Sequence, residues 1–302
     1  MNLSPLIARF TGHKGSVYAL AEGRDGKFFS SGSDGWVVEW RIDQPEEGRL
    51  LARMPGAVYA MCNLPEKGIL VVAVNNDGFH VIDTEKGSVL FSLPSGNSSW
   101  FRMKELREER ILAVGSAGRL ALLDIKTRNM QWFCSGNEDL RSMAVLPVTG
   151  EVVLGSSKPK LLVHDASLEF QYELPSGHSK TIFGMAAYPD GRSLLTTGRD
   201  AQLVLHEKNS AGTWEIRQSV PAHLYGIHDV CLHPEKTLVA SGSQDKTVKI
   251  WDAENLRLLR VLDRGRHNGH SHSVNQLCWL AKPDLLLSCS DDRSILAWDI
   301  YQ

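Results

Sequence analysis

A unit made of a strand, a polar turn, a second strand and a tryptophan returns along this chain at intervals of just over forty residues. No other feature restricts the fold so tightly. The clearest copies are VASGSQDKTVKIWDAEN with Trp251–Asp252, LLSCSDDRSILAWDIYQ with Trp298–Asp299, and FSSGSDGWVVEWRID with Trp40. Weaker copies, AVNNDGFHVID, VGSAGRLALLD, LGSSKPKLLVHD and TTGRDAQLVLHE, put Ile82, Leu123, His164 and His206 at the tryptophan position. The seven positions are separated by 42, 41, 41, 42, 45 and 47 residues, so seven units account for residues 1–302.

Inside each unit, apolar residues alternate over short stretches bounded by Gly, Pro, Asn and Asp, the pattern of short antiparallel strands. Six units show a further strand-like stretch after the tryptophan position, such as RLLARM or LRLLRVL. The seventh shows only SVNQLCWL, DLLLSC and SILAW, while LIARF, at residues 6–10, has the character of its missing outer strand. Residues 5–11 are therefore expected to complete the last unit from the other end of the chain. Such a closure leaves no unpaired edge in the ring, an edge that would otherwise template aggregation.

The chain resembles the WD40 repeat family of β-propellers over its whole length. The resemblance is carried by Gly12-His13, Gly177-His178, Ala222-His223 and Gly269-His270 at unit starts and by Trp251-Asp252 and Trp298-Asp299 at unit ends. It implies an all-β fold, a single seven-bladed propeller over 1–302, with four-stranded antiparallel blades around a central channel.

Four residue types recur at fixed offsets. They are His223, Ser241, Asp245 and Trp251 in repeat 6, and His270, Ser288, Asp292 and Trp298 in repeat 7. Repeat 1 supplies His13, Asp34 and Trp40, with Ser30 or Ser31 as the hydroxyl, and repeat 5 supplies His178 and Asp200. An indole N–H can donate to the hydroxyl, the hydroxyl to the imidazole, and the imidazole to the carboxylate. That chain engages the hydroxyl and recurs at repeat spacing, so these sets are expected to be structural, not hydrolytic. Repeats 2 to 4 lack the network, with Asn97 and Asn137 read at the histidine position of repeats 3 and 4.

Other chemistries find little support. A formal charge of -2, with basic residues spread over all units, predicts no nucleic-acid surface. No apolar run reaches the roughly 20 residues of a membrane span, and the first residues do not read as a secretory signal. With five cysteines and no C-x-x-C spacing, reduced thiols in a cytoplasmic setting are expected. Cys62, Cys231 and Cys278 share a column with Ala21, Ala144 and Ala186, which reads as small core residues and not ligands. In HNGHSH only His267 and His272 are left beside the repeat histidine, too few for a metal site. No cofactor, metal or catalytic residue is predicted.

The family implies a non-catalytic scaffold that binds peptides or domains of other proteins on the narrower face, where the loops entering the inner strands meet the turns after the second strands. On that face, the residue after the first core position of each inner strand reads Tyr18, Tyr59, Phe101, Arg141, Phe183, His228 and Asn275, with Trp100 beside Phe101 and Arg199 in a turn. Aromatic residues with arginine are typical interface anchors. A partner segment with apolar side chains and a carboxylate is expected across Tyr18, Tyr59, Phe101, Arg141, Phe183 and Arg199. The alternative is a small-ligand or enzymatic propeller with its site at the channel mouth.

Overall fold

The computed structural model describes residues 5–107 and 109–302. Its strands form seven four-stranded antiparallel sheets, each built from consecutive strands except one. The exception takes its outer strand from Leu6–Phe10, which pairs antiparallel with Ile295–Trp298 through Phe10 against Ile295 and Leu6 against Trp298. Phe10 is fully buried and meets Phe28 edge-on at 4.9 Å and Trp40 at 5.6 Å. The closing strand thus ties the last blade to the first through its side chain as well as its backbone.

Burial explains why the second strands are the most apolar. Ile69–Val74, Val152–Ser156 and Leu285–Ser290 are covered on both faces, whereas outer strands such as Phe170–Leu174 are largely exposed. The buried apolar residues sort into seven clusters, one at each junction between neighbouring blades. Close approach at the channel end of a blade calls for glycine. A side chain on Gly32 would sit 1.9 Å from the Ser16 carbonyl oxygen, on the loop entering the inner strand.

The repeated histidines, hydroxyls and tryptophans are hydrogen-bonded to one another, and in blade 1 the hydroxyl belongs to Ser30. Trp40 Nε1 donates to Ser30 Oγ at 2.7 Å and His13 Nε2 lies 2.8 Å from it, while Ser31 Oγ is buried without a partner. The tryptophan stands 10 residues after its hydroxyl in blades 1, 6 and 7, while the histidine precedes it by 17 residues in blade 1 and 18 in blades 6 and 7. The one-residue deletion therefore falls in the first hairpin. In blade 6, Trp251 Nε1 donates to Ser241 Oγ (2.8 Å), His223 Nε2 is 2.8 Å away, and His223 Nδ1 meets Asp245 at 2.9 Å. Burial opposes the Asp245 carboxylate, but the hydrogen bond and charge of His223, with Thr247 and the Leu224 N–H, outweigh it and hold the carboxyl well below its usual range. Ser241 is wholly buried with both neighbours engaged, so it cannot serve as a nucleophile.

Asn97 and Asn137 do not take the histidine place. Both are exposed, and the residues four before the first core position are Gly96 and Gly136, with φ of 63° and 80°. The histidine place thus falls one residue before each asparagine, and a Gly-Asn pair carries no sequence signal for which of the two occupies it. Among the described residues no helix is long and apolar enough to cross a membrane.

Candidate functional site: the channel mouth

Antiparallel pairing places Val17, at the start of an inner strand, opposite Gly32, at the end of the second. Entry loops and the turns after the second strands therefore share one face, and the channel opens between them.

The register of every inner strand slips at the same place. The shifts lie between Val17/Ala19, Val58/Ala60, Trp100/Arg102, Leu140/Ser142, Ile182/Gly184, Ile227/Asp229 and Val274/Gln276. The bypassed residues are Tyr18, Tyr59, Phe101, Arg141, Phe183, His228 and Asn275. A bulge re-aims the side chain it carries, and here all seven turn into the mouth of the channel, where with Arg102 they line one cavity of about 220 Å³.

They touch in sequence around the ring. Tyr18 stacks on Tyr59 at 5.0 Å, and Tyr59 lies 6.3 Å from Phe101. The Arg141 guanidinium sits 3.8 Å from the Phe101 centroid and 5.7 Å from that of Phe183, which meets His228 edge-on at 5.6 Å. His228 Nδ1 is 3.1 Å from the Val274 carbonyl, and Asn275 Nδ2 donates to the Val17 carbonyl at 2.9 Å. These links bind blades 6, 7 and 1, whose inner strands share no backbone ladder. All seven side chains are half-buried.

Below the ring, Arg102 crosses the bore from blade 3. Its Nη2 donates to the carbonyl of His228 (3.1 Å) and to Asp229 Oδ1 (3.2 Å), and Asp229 Oδ2 also accepts from the Leu277 N–H at 2.9 Å. Burial pushes the Asp229 carboxyl above its usual range, with Arg102 and Leu277 pulling it back. Arg102 can reach because its column is otherwise small on the way, with Ala60, Ser142 and Gly184. Arg102 thus lies at the base of the cup that the ring residues line.

The two arginines differ in their charge balance. Arg102 is paired with Asp229, whereas Arg141 has no carboxylate at ion-pair distance among the described residues. Burial, then the like charge of Arg102, depresses the Arg141 pKa, with Asp139 and Tyr59 pulling it back.

Two of the expected residues stand apart from the cup. Trp100 is 1% exposed, packs 4.9 Å from Phe79 and donates from Nε1 to Ser95 Oγ (2.9 Å), so it is core and not contact surface. Arg199 is exposed in its turn on the same face, outside the cup. Sequence reasoning missed Arg102, whose signal was an arginine in a column that also carries Asp229 and is small at Ala19, Ala60, Ser142 and Gly184. It also missed Leu224 and Tyr225, 84% and 61% exposed in the entry loop of blade 6, where other repeats place small or charged residues. His267 and His272 stay apart from any cluster of three or more His, Cys, Asp or Glu among the described residues.

Comparison with known proteins agrees with this architecture. The chain is similar over 98% of its length to Transducin beta-like protein 3 of Rattus norvegicus, 23% identical over 325 residues covering 40% of that protein. It is 26% identical over 185 residues to Nuclear distribution protein PAC1 of Arthroderma otae, spanning 52% of this chain and 37% of the relative. Against Pre-mRNA-processing factor 19 of Bos taurus it is 29% identical over 163 residues, 52% of this chain and 31% of the relative. The chain thus spans less than half the length of these relatives. Among solved structures, the WD40 beta propeller domain of Doa1 superposes with a TM-score of 0.86 at 15% identity, covering 99% of this chain and 98% of that one. The family model for the WD domain, G-beta repeat, matches residues 4–41, 169–207, 214–252 and 260–299, the segments that carry the four structural networks. With those four repeats and seven closed blades, the chain belongs to the WD40 family.

Proposed function

We propose that this protein is a non-catalytic interaction scaffold whose partner docks on the face that carries the channel mouth, with a partner carboxylate seated on Arg141. The observation that carries the reading is the Arg141 guanidinium, outside any ion pair among the described residues, held between Phe101 and Phe183 in the aromatic cup. Rings that are rigid, half-exposed and amphipathic make contact area at small entropic cost. Each is fixed on a strand, which gives a more exact presentation than a loop would. The exposed Leu224 and Tyr225 and the Arg199 turn extend the surface beyond the cup. Size weighs against the small-ligand alternative. A cavity of about 220 Å³ falls short of the roughly 300–1,000 Å³ of ordinary small-molecule pockets, yet admits a side chain or two. A cytoplasmic location is part of the same reading.

The test is capture of the native partner by folded Tyr59→Ala, Phe101→Ala and Arg141→Glu variants. Capture should fall in all three and most in Arg141→Glu. Undiminished capture by all three would remove the site from this face.

A further inference from the structure

The opposite face, where hairpins join inner to second strands, shows a different irregularity. Six of its seven blade junctions are bridged by a polar contact. Between blades 1 and 2, Asn63 Nδ2 donates to the Glu22 carbonyl (2.7 Å), and between 2 and 3, Lys67 pairs with Glu109 (2.8 Å). Lys208 pairs with Glu151 between blades 4 and 5 (2.9 Å), and the Tyr188 hydroxyl donates to the Ala253 carbonyl between 5 and 6. His233 meets Asp284 between blades 6 and 7 (2.8 Å), and the Ala281 N–H donates to the Glu22 carboxylate between 7 and 1 (2.6 Å). Among the described residues, the junction between blades 3 and 4 has no such bridge on this face.

A cleft of about 450 Å³ opens at that junction. Its walls are the half-buried Leu106, Leu122, Phe133 and Val145, and Arg107 and Arg110 stand exposed at its lip. Neither arginine has a carboxylate at ion-pair distance among the described residues. A cleft of similar size between blades 1 and 2, about 470 Å³, shows the contrast. It is lined by Arg24, Lys27, Glu39 and Glu66, which neutralise one another in pairs. The cleft between blades 3 and 4 instead joins apolar walls to two arginines outside any ion pair among the described residues, with Asp124, across the ladder from Arg110, as the nearby counter-charge. The exposed Phe170 lies on the outer strand of blade 4.

We infer that this cleft is a second docking site, for a linear segment of another protein that inserts one large apolar side chain between blades 3 and 4 and sets a neighbouring carboxylate against Arg107 and Arg110. The apolar walls reward burial of the inserted side chain. The arginines select an acidic flank and reject a basic one. The chain would then hold two partner segments at once, one on each face of the ring.

The probe is a display library of random sixteen-residue peptides, panned on the intact chain with counter-selection on the Arg107→Glu/Arg110→Glu double variant. Both arginines are exposed, so that variant should melt with the parent. The expected result is an enriched pool that pairs Leu, Met, Phe or Trp with Asp or Glu within about two residues. Binding of individual clones should weaken at least tenfold in the double variant and in Ala166→Trp, which places a bulky ring at the cleft lip. It should be unchanged in Arg141→Glu, which keeps this site distinct from the channel mouth. No enrichment over background, a consensus without carboxylates, or binding lost in Arg141→Glu and retained in the cleft variants would each overturn the inference.

Discussion

His206 should make blade 5 sensitive to acid. It stands where three other blades have tryptophan, is 1% exposed, and its Nε2 lies 2.8 Å from Thr196 Oγ1. Thr196 Oγ1 is in turn 2.9 Å from His178 Nε2, and His178 Nδ1 is 3.0 Å from Asp200. With His178 donating its Nδ1–H to Asp200, its Nε2 accepts from the Thr196 hydroxyl, which leaves His206 to donate from Nε2–H to Thr196 Oγ1 as an indole would. Burial, with the nearby His178, lowers the His206 pKa from 6.5 to about 4. Between those values the unfolded chain takes up a proton that the folded chain refuses. The contribution is therefore complete above the unfolded value and is lost as the pH falls through the window. For this single group the loss is about 2 kcal/mol at pH 5 relative to pH 8, and about 3 kcal/mol by pH 4. His206→Gln keeps an N–H donor for Thr196 and does not titrate. Urea unfolding of both proteins at several pH values isolates the term, since His164, His223 and His228, also lowered by burial, act in both. The variant should start less stable at pH 8 and close the gap by about 2 kcal/mol at pH 5. Parallel loss of stability in the two proteins would refute the argument.

Two other perturbations address the frame. Phe10→Ala should cost about 3–5 kcal/mol, as for a fully buried core ring, and deletion of residues 5–10 should cost more and expose the edge of Ile295–Trp298 to aggregation. Melting of the deletion at the parental temperature would contradict the closure. Trp251→Ala should cost about 3–5 kcal/mol and leave Ser241 without its donor, whereas Asp245→Ala should cost about 1–3 kcal/mol. Thermal or urea midpoints check both, and the reverse order of severity would count against the network.

The repeat period made most of the fold readable, because a constant spacing turns a weak unit into an aligned one. Blades 2 to 4 lack the histidine network, yet Ile82, Leu123 and His164 fall on schedule and are buried as the tryptophans are. The ring residues were legible for the same reason, as one column seven times over. What the column could not show was the bulge that aims them, since a bulge is a property of pairing and not of composition. Nor could it show Arg102 reaching Asp229 of blade 6, or which junctions on the opposite face are bridged among the described residues, because both depend on contacts between residues far apart in the chain. Trp100 illustrates the converse error. An aromatic beside Phe101 reads as part of the surface, but one step along a strand reverses the side chain, and Trp100 faces the core.

The most direct test of the docking face places a photo-cross-linking benzoylphenylalanine at Tyr59 or Phe183, with Ile216 and Leu258 on the outer strands as controls, in cells that make the protein. The account predicts adducts with a partner from Tyr59 and Phe183, and their loss when Arg141→Glu is added. Adducts confined to Ile216 or Leu258, or adducts at the mouth that survive Arg141→Glu, would contradict it.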